Sequence, residues 1–331
     1  MSVTIKDIAR ESGVSYSTVS KALNNSPLVK PETKKKVLET ASMLGYTPNF
    51  AAKNLVSKKS RTIGLVWPAI DRIALTALVS KINELVTAEN YFMILSVDEA
   101  DKAIGMFKGF QVDGVMIFEE GRETMLHSDV FSSIPILSYG VSGDHVYPII
   151  DVNHKKAIHL AVSHLIELGH TSLSYIGDAT PGDKRQTEKL NGFYEAMENA
   201  GLTVHENSIG NTKGLSWYDG YLAAKELLKT CKPTALISGS YDISVGVLRA
   251  AKELKIRIPE DLSVISYDNI PQMASLETEL TSVGVPIERL AEKMVTSLLS
   301  LIEHPDSINL TQLMEPKLAL RKSTKSLQKH L

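Results

Sequence analysis

Apolar positions in the first sixty residues recur at helical spacing. Ile5, Ile8 and Ala9 form one set and Val19, Ala22 and Leu23 a second, so the two can pack on each other. Thr4 stands ahead of the first set as an N-cap, with Asp7 at capping-box spacing, and Ser15 can cap the second. Gly13 sits where the chain must reverse sharply, a turn that a residue without a side chain tolerates. The pattern predicts helix, tight turn, helix. A third helix is predicted from Pro31 to Leu44, with Pro at its first position, Gly45 at its stop and an inward stripe of Val37, Leu38, Ala41 and Leu44. The next segment, Phe50 to Val56, is short and Ala-rich. Alone it is marginal, because helices under about twelve residues rarely hold in water. Residues 57–61 read as a solvated connector.

From Thr62 the pattern changes to short apolar runs alternating with amphipathic stretches. Strands are predicted at Ile63–Trp67, Phe92–Val97, Gly114–Phe118 and Ile136–Ser138, with helices from about Leu75 to Asn90 and Lys102 to Phe110. A second set has strands at Leu173–Gly177, Ala235–Ser238 and Val264–Tyr267. Its helices lie near His154–Leu168, Thr187–Ala200, Tyr218–Lys229 and Ile243–Leu254. Pro286 to Ile302 is a further helix, and Ile308 to Leu320 holds two late strands. Such alternation implies parallel sheets covered on both faces. The expected architecture is an all-α helix-turn-helix head plus an α/β body, the body being two doubly wound parallel-sheet subdomains with a ligand cleft beyond the strand ends. The expected divisions are 1–48 for the head, 49–61 for a hinge helix and linker, and 62–331 for the body. Within the body, about 62–160 plus 292–320 form one subdomain and about 161–291 plus 321–331 the other.

Charge sharpens this division. Residues 1–61 hold eleven Lys and Arg against four Asp and Glu, about +7, while the whole chain is −2, leaving about −9 for the rest. A basic head on an acidic body fits a head that meets a polyanion. There is no run of eighteen apolar residues and no basic-then-apolar signal pattern, and the single cysteine, Cys231, excludes an intrachain disulfide and a multi-cysteine metal site. These features point to the cytoplasm. No HExxH spacing, Gly-x-Ser-x-Gly elbow or Walker A loop is present, so no catalytic residue, metal site or cofactor is expected.

The outward face of the second helix carries Tyr16, Ser17, Ser20 and Lys21: an aromatic hydroxyl, small hydroxyls and a base, with no acid. That face suits a DNA major groove, where phosphates and base edges offer mainly acceptors.

Taken together, the residues resemble the lactose/galactose-repressor (LacI/GalR) family of transcription regulators over essentially the full length. The resemblance is carried by Val3-Thr4-Ile5-Lys6-Asp7-Ile8-Ala9, Gly13-Val14-Ser15, Thr18-Val19-Ser20, Leu23-Asn24 and Leu44-Gly45-Tyr46-Thr47-Pro48-Asn49 in the head. In the body it is carried by His164-Leu165-Ile166-Glu167-Leu168-Gly169-His170, Leu190-Asn191-Gly192-Phe193, the run from Ile258 to Val264, and Ser266-Tyr267-Asp268-Asn269. The resemblance implies a homodimer that binds double-stranded, palindromic operator DNA as a repressor of carbohydrate-utilisation genes. It also implies a periplasmic-binding-protein-like body whose cleft takes a small effector: a sugar, sugar acid or sugar phosphate. Tyr16, Ser17 and Lys21 match base-reading positions, Lys21 standing where Arg is usual. Ser15, Thr18, Ser20, Asn24, Tyr46 and Asn49 match phosphate contacts. Ala52, Lys53 and Leu55 fall in the matching minor-groove hinge, with Leu55 as the apolar wedge.

The cleft departs from the family pattern. Asp268 stands where the family keeps an acid for polar ligands. Lys189, three before Gly192, replaces a usual Arg, keeping the charge and losing the planar fork. Ser240-Tyr241 replaces a usual Asn-Asp, and Tyr139-Gly140 stands where Asp is frequent. Asp71, Arg72, Phe118 and Tyr241 are further candidates by strand-end placement. The competing class is a sugar-binding or sensor protein with the same two-lobed fold and no operator-specific regulation, and the basic head argues against it.

Overall fold

The structure, a computed structural model, describes residues 3–46, 59–67, 70–119, 134–140, 147–304 and 311–327. The chain separates into two compact units, Met1–Ser60 and Arg61–Leu331.

In the first unit α1 (Ile5–Ser12), α2 (Tyr16–Leu23) and α3 (Pro31–Met43) close on a small core of Ile8, Val19, Ala22, Val37 and Ala41. Gly13 ends α1 with φ 67° and ψ 24°, the left-handed conformation that costs glycine least. The Asp7 carboxylate accepts both the N–H and the hydroxyl of Thr4. One expectation fails. Leu38 is exposed and Thr40 is buried in its stead, because the inward stripe runs through Val37, Thr40, Ala41 and Leu44, and Leu38 lies about 100° round the helix from Val37.

The second unit holds two six-stranded sheets. The first is ordered β11-β5-β4-β3-β1-β2 and is parallel throughout. Its strands are β1 (Thr62–Val66), β2 (Phe92–Ser96), β3 (Gly114–Phe118), β4 (Ile136–Tyr139), β5 (Ile149–Val152) and β11 (Thr311–Met314). The second is ordered β12-β10-β9-β8-β6-β7, with β6 (Leu173–Gly177), β7 (Ile209–Asn211), β8 (Ala235–Ser238), β9 (Ser263–Asn269), β10 (Thr281–Pro286) and β12 (Lys317–Ala319). Only β12 runs antiparallel to its neighbour. Helices α4 (Ile73–Ala88), α5 (Ala100–Gly109) and α10 (Ile287–Glu303) pack on the first sheet. Helices α6 (His154–Glu167), α7 (Lys184–Asn199), α8 (Trp217–Thr230) and α9 (Tyr241–Glu253) pack on the second.

The chain therefore crosses between lobes three times: at Asn153, at the β10–α10 junction and between Met314 and Lys317. The approximate divisions expected near 160, 291 and 320 lie a few residues beyond these crossings. Helix α6 already packs against α7 and the second sheet, and α10 begins directly after β10 and packs on α4. Helices α8 and α9 touch backbone to backbone. A Cβ on Gly246 would stand 2.2 Å from the Trp217 carbonyl oxygen, and one on Gly220 would stand 2.7 Å from that of Ile243.

Candidate nucleic-acid interface and ligand cleft

Ser15 caps α2, its Oγ accepting the Thr18 N–H at 3.2 Å. Its hydroxyl also lies 3.0 Å from Ser17 Oγ and 2.8 Å from Thr18 Oγ1, so three small hydroxyls cluster at the helix start. Tyr16 is 55% exposed, and Ser17, Lys21 and Asn24 are exposed beside it. Thr18 and Ser20 are half-buried, and Tyr46 packs against the head core with part of its side chain outside. The N-terminal half of α2 thus presents a free polar face with a positive helix end, which favours contact with an anionic backbone. Asn49, Ala52, Lys53 and Leu55 lie outside the described residues.

In the body the strand ends of the two lobes face each other. Trp67, Phe118 and Tyr139, at the ends of β1, β3 and β4, form an aromatic plate. Trp67 and Phe118 have ring centroids 4.7 Å apart, and Tyr139 stacks 6.3 Å from Trp67. Opposite them α7 supplies Arg185 and Lys189. The Arg185 guanidinium crosses to lie 4.4 Å over the Phe118 ring. Lys189 Nζ donates to the Gly239 carbonyl at 2.9 Å and sits 3.8 Å over the Tyr267 ring. Burial pulls the Lys189 ammonium down to about 8, opposed by the nearby Asp268 carboxylate. The His154 ring, also buried, is held well below its usual value by desolvation and by the adjacent Lys189 and Arg185 charges, so it is neutral. It pairs with the Tyr267 hydroxyl at 2.5 Å.

The predicted cleft residues separate into three groups. Lys189, Phe118, Arg72 and Asp268 converge on the cleft. Asp268, at φ 81°, accepts the Tyr241 N–H at 2.9 Å through one carboxylate oxygen. Arg72 stands at the N-terminus of α4, with its Nε buried and without a hydrogen-bond partner, close enough to Asp242 to lower that group's pKa. Ser240 is fully buried, and its Oγ accepts the Ile243 N–H at 3.3 Å as the cap of α9, a local role that the sequence reading left out. Tyr241 begins α9 half-buried, and Asp71 is exposed.

Sequence reading missed Arg185, Trp67 and Asp242. Arg185 was legible as the residue four before Lys189 on one helix face. Trp67 was legible as the residue at a strand's carboxyl end. Asp242 carries a carboxyl raised to about 6, chiefly by burial and then by Asp268, with Arg72 and the Ile73 N–H opposing. Nothing in its sequence context signals that. Behind the plate a cavity of about 50 Å³ is bordered by Tyr139, Val152, Tyr267 and Asp268. It has room for a few waters.

Residues 4–49 match the model of the bacterial regulatory proteins, lacI family, and residues 162–324 that of a periplasmic binding protein-like domain. Catabolite control protein A of Priestia megaterium is 34% identical over 297 residues, covering 87% of this chain and 89% of that protein. The chain belongs to the LacI family. It is a transcriptional regulator with a helix-turn-helix DNA-binding domain, and its relatives are regulators rather than enzymes. "Probable HTH-type transcriptional repressor ExuR" of Bacillus subtilis is 30% identical over 315 residues, covering 92% of this chain and 93% of that one. The fold matches the lac repressor dimer bound to operator and the anti-inducer ONPF (TM-score 0.83, 24% identity, 98% of this chain and 100% of that one). It also matches a CelR–cellobiose complex (TM-score 0.68, 23% identity, 97% and 99%). No helix among the described residues is long and apolar enough to cross a membrane.

Proposed function

We propose that this regulator represses transcription by binding a palindromic operator as a homodimer, and that a small polar ligand in the body's cleft sets its operator affinity. The observation that carries the DNA half is the exposed Tyr16–Ser17–Lys21 face at the capped start of α2, on a basic head. Tyr16, Ser17 and Lys21 choose bases, and Ser15, Thr18, Ser20, Asn24, Tyr46 and Asn49 hold phosphates. Leu55, with Ala52 and Lys53 beside it, enters the minor groove. The catabolite control protein and lac repressor relatives support this reading, and a protein with this task works where the chromosome is, in the cytoplasm.

Two surfaces support pairing of the bodies. Strand β2 is a sheet edge that exposes Phe92 and Leu95, with exposed Val97 just beyond it, and α8 exposes Trp217, Tyr218 and Leu222. An exposed apolar edge strand is a liability that pairing with a second copy would remove.

The cleft reading draws on the buried polar atoms there and on the CelR–cellobiose relative, whose ligand is a sugar. The test is operator binding, selected from random duplexes and measured by anisotropy with and without ligand. A dimer that protects a two-fold site and responds to a cleft ligand is expected. Binding with equal affinity to all duplexes would overturn the repressor reading. A ligand whose affinity is the same with and without operator would overturn the coupling, because linkage must be reciprocal.

A further inference from the structure

Arg61 is where the chain enters the second unit, directly ahead of β1, and its side chain is exposed. Its backbone is left-handed, at φ 53°, a conformation that costs any residue with a side chain more than it costs glycine. Asn90, Gln111 and Lys255 share it, but each stands one past a helix cap, where it completes the helix end. Arg61 precedes a strand, and other contacts hold it. Its N–H donates to Asp113 Oδ2 at 2.9 Å, and its carbonyl accepts the Phe92 N–H at 2.8 Å. Its guanidinium lies 5.0 Å over the ring of the buried Tyr91. The next residue is tied as well, the Thr62 carbonyl accepting the Asp113 N–H at 2.8 Å. The entry point is thus fastened to the starts of β2 and β3, the two strands that flank β1. A strained residue persists only where its surroundings over-determine it, and such strain collects at clamps and switches.

We propose that Arg61 and Asp113 are positioning residues for operator recognition. Their clamp fixes the direction in which the chain leaves the body, and so sets the half-site separation that a paired regulator accepts. This rests on the reading of the protein as a homodimer on a palindromic operator. Only residues 57–60 stand between the expected hinge segment and the clamp, a tether that spans at most about 14 Å when extended. A tether that short carries the direction of its anchor. With the anchor fixed, the second head of a bound pair is presented at high effective concentration to one separation; with the anchor free, the same pair is spread over many. Neither residue has to touch DNA for this, and the ligand cleft lies at the opposite ends of the same strands.

The test compares the operator selected from random duplexes with a version carrying two extra central base pairs, which moves one half-site by about 7 Å and turns it by about 70°. Anisotropy on the full chain is expected to show a loss of at least about tenfold for the unaltered protein, and of about threefold or less for Arg61→Gly and for Asp113→Ala. These two variants change the net charge in opposite directions, so a shared loss of spacing preference is not electrostatic. Asp113→Asn keeps an acceptor for the Arg61 N–H and is expected to keep the preference. Glycine holds φ 53° without strain, so Arg61→Gly is expected to leave the body's urea transition, followed by Trp67 and Trp217 fluorescence, in place. A spacing preference as sharp in Arg61→Gly and Asp113→Ala as in the unaltered chain would overturn the clamp and leave the paired reading intact. An unaltered chain indifferent to spacing, and no tighter on two half-sites than on one, would overturn the paired reading and the clamp with it.

Discussion

Ile8→Ala separates the head's stability from the groove contact. Ile8 is fully buried in the middle of a core with, among the described residues, four other buried apolar side chains, Val19, Ala22, Val37 and Ala41. It lies on α1, away from the exposed face of α2. Truncating a buried Ile to Ala costs about 2–5 kcal/mol. A head with about 45 ordered residues, at roughly 0.05–0.15 kcal/mol per residue, holds about 2–7 kcal/mol in total. One substitution therefore removes most of the head's stability. Once the loss exceeds that reserve, each further 1.4 kcal/mol or so lowers the operator affinity of each head about tenfold, because binding must first refold it. Both tryptophans, Trp67 and Trp217, lie in the second unit, so tryptophan fluorescence follows the body alone. Urea titration of the full chain should show an unchanged fluorescence transition, a lost or shifted early circular-dichroism transition, and weakened operator binding in anisotropy. An early transition identical to that of the unaltered chain, or a fluorescence transition moving with it, would refute the reasoning.

Tyr16→Ala should leave both transitions in place, since the side chain is exposed, and should flatten discrimination between operator variants by about 1–3 kcal/mol while the salt slope stays the same; equal weakening on every duplex would remove Tyr16 as a base reader. Gly246→Ala puts a methyl against the Trp217 carbonyl and the Tyr221 N–H, so it should destabilise the body by about 1–3 kcal/mol in urea titration, seen in tryptophan fluorescence. Asp242 has a raised carboxyl, so the folded body holds a proton that the unfolded chain releases, and stability is lost as pH rises from about 4 through 6. Asp242→Asn should therefore raise the body's melting temperature at pH 7.5 and have little effect at pH 4, by calorimetry. Phe92→Lys should convert a dimer to monomers in sedimentation velocity if the β2 edge is the pairing face.

The parts legible in the sequence are those in which one residue pattern has one physical outcome. Helices α1 and α2 followed from apolar spacing, with Gly13 ending the first and Ser15 capping the second. Five-residue buried strands such as Gly114–Phe118 and Leu173–Gly177 read directly from apolar runs. Strand β10 did not. Thr281, Ser282, Gly284 and Pro286 look like a turn, yet Thr281 and Ser282 are fully buried because Ser323 Oγ accepts the Thr281 N–H and Arg321 donates to Ser282 Oγ. Those partners lie about forty residues away, beyond any local window. Strand β7 escaped for another reason: its three residues are too short to show a period. Ser240 has a use that the sequence reading left out: a serine ahead of a helix can cap it, and here its Oγ accepts the Ile243 N–H.

The cleft joins these parts into a switch with a definite physical form. Its two walls belong to different lobes, and the lobes are joined by three crossings close to the strand ends, which permits rotation of one wall against the other. Among the contacts that span the gap are the Arg185 guanidinium over Phe118, and Asp242 beside Arg72 and the Ile73 N–H. Each involves a charge in a desolvated setting, so each is sensitive to what else occupies the cleft. A ligand that takes Arg185 from the Phe118 ring changes the balance between closed and open lobes by the difference of its affinities for the two, and by no more than that. Helix α4 begins at this gap and runs beside the β2 edge, so the element that feels the ligand adjoins the face by which the body is proposed to pair. In the proposed dimer a change of lobe angle would change how two copies meet, and a palindromic site reads the spacing of the two heads, since its half-sites lie at a fixed separation.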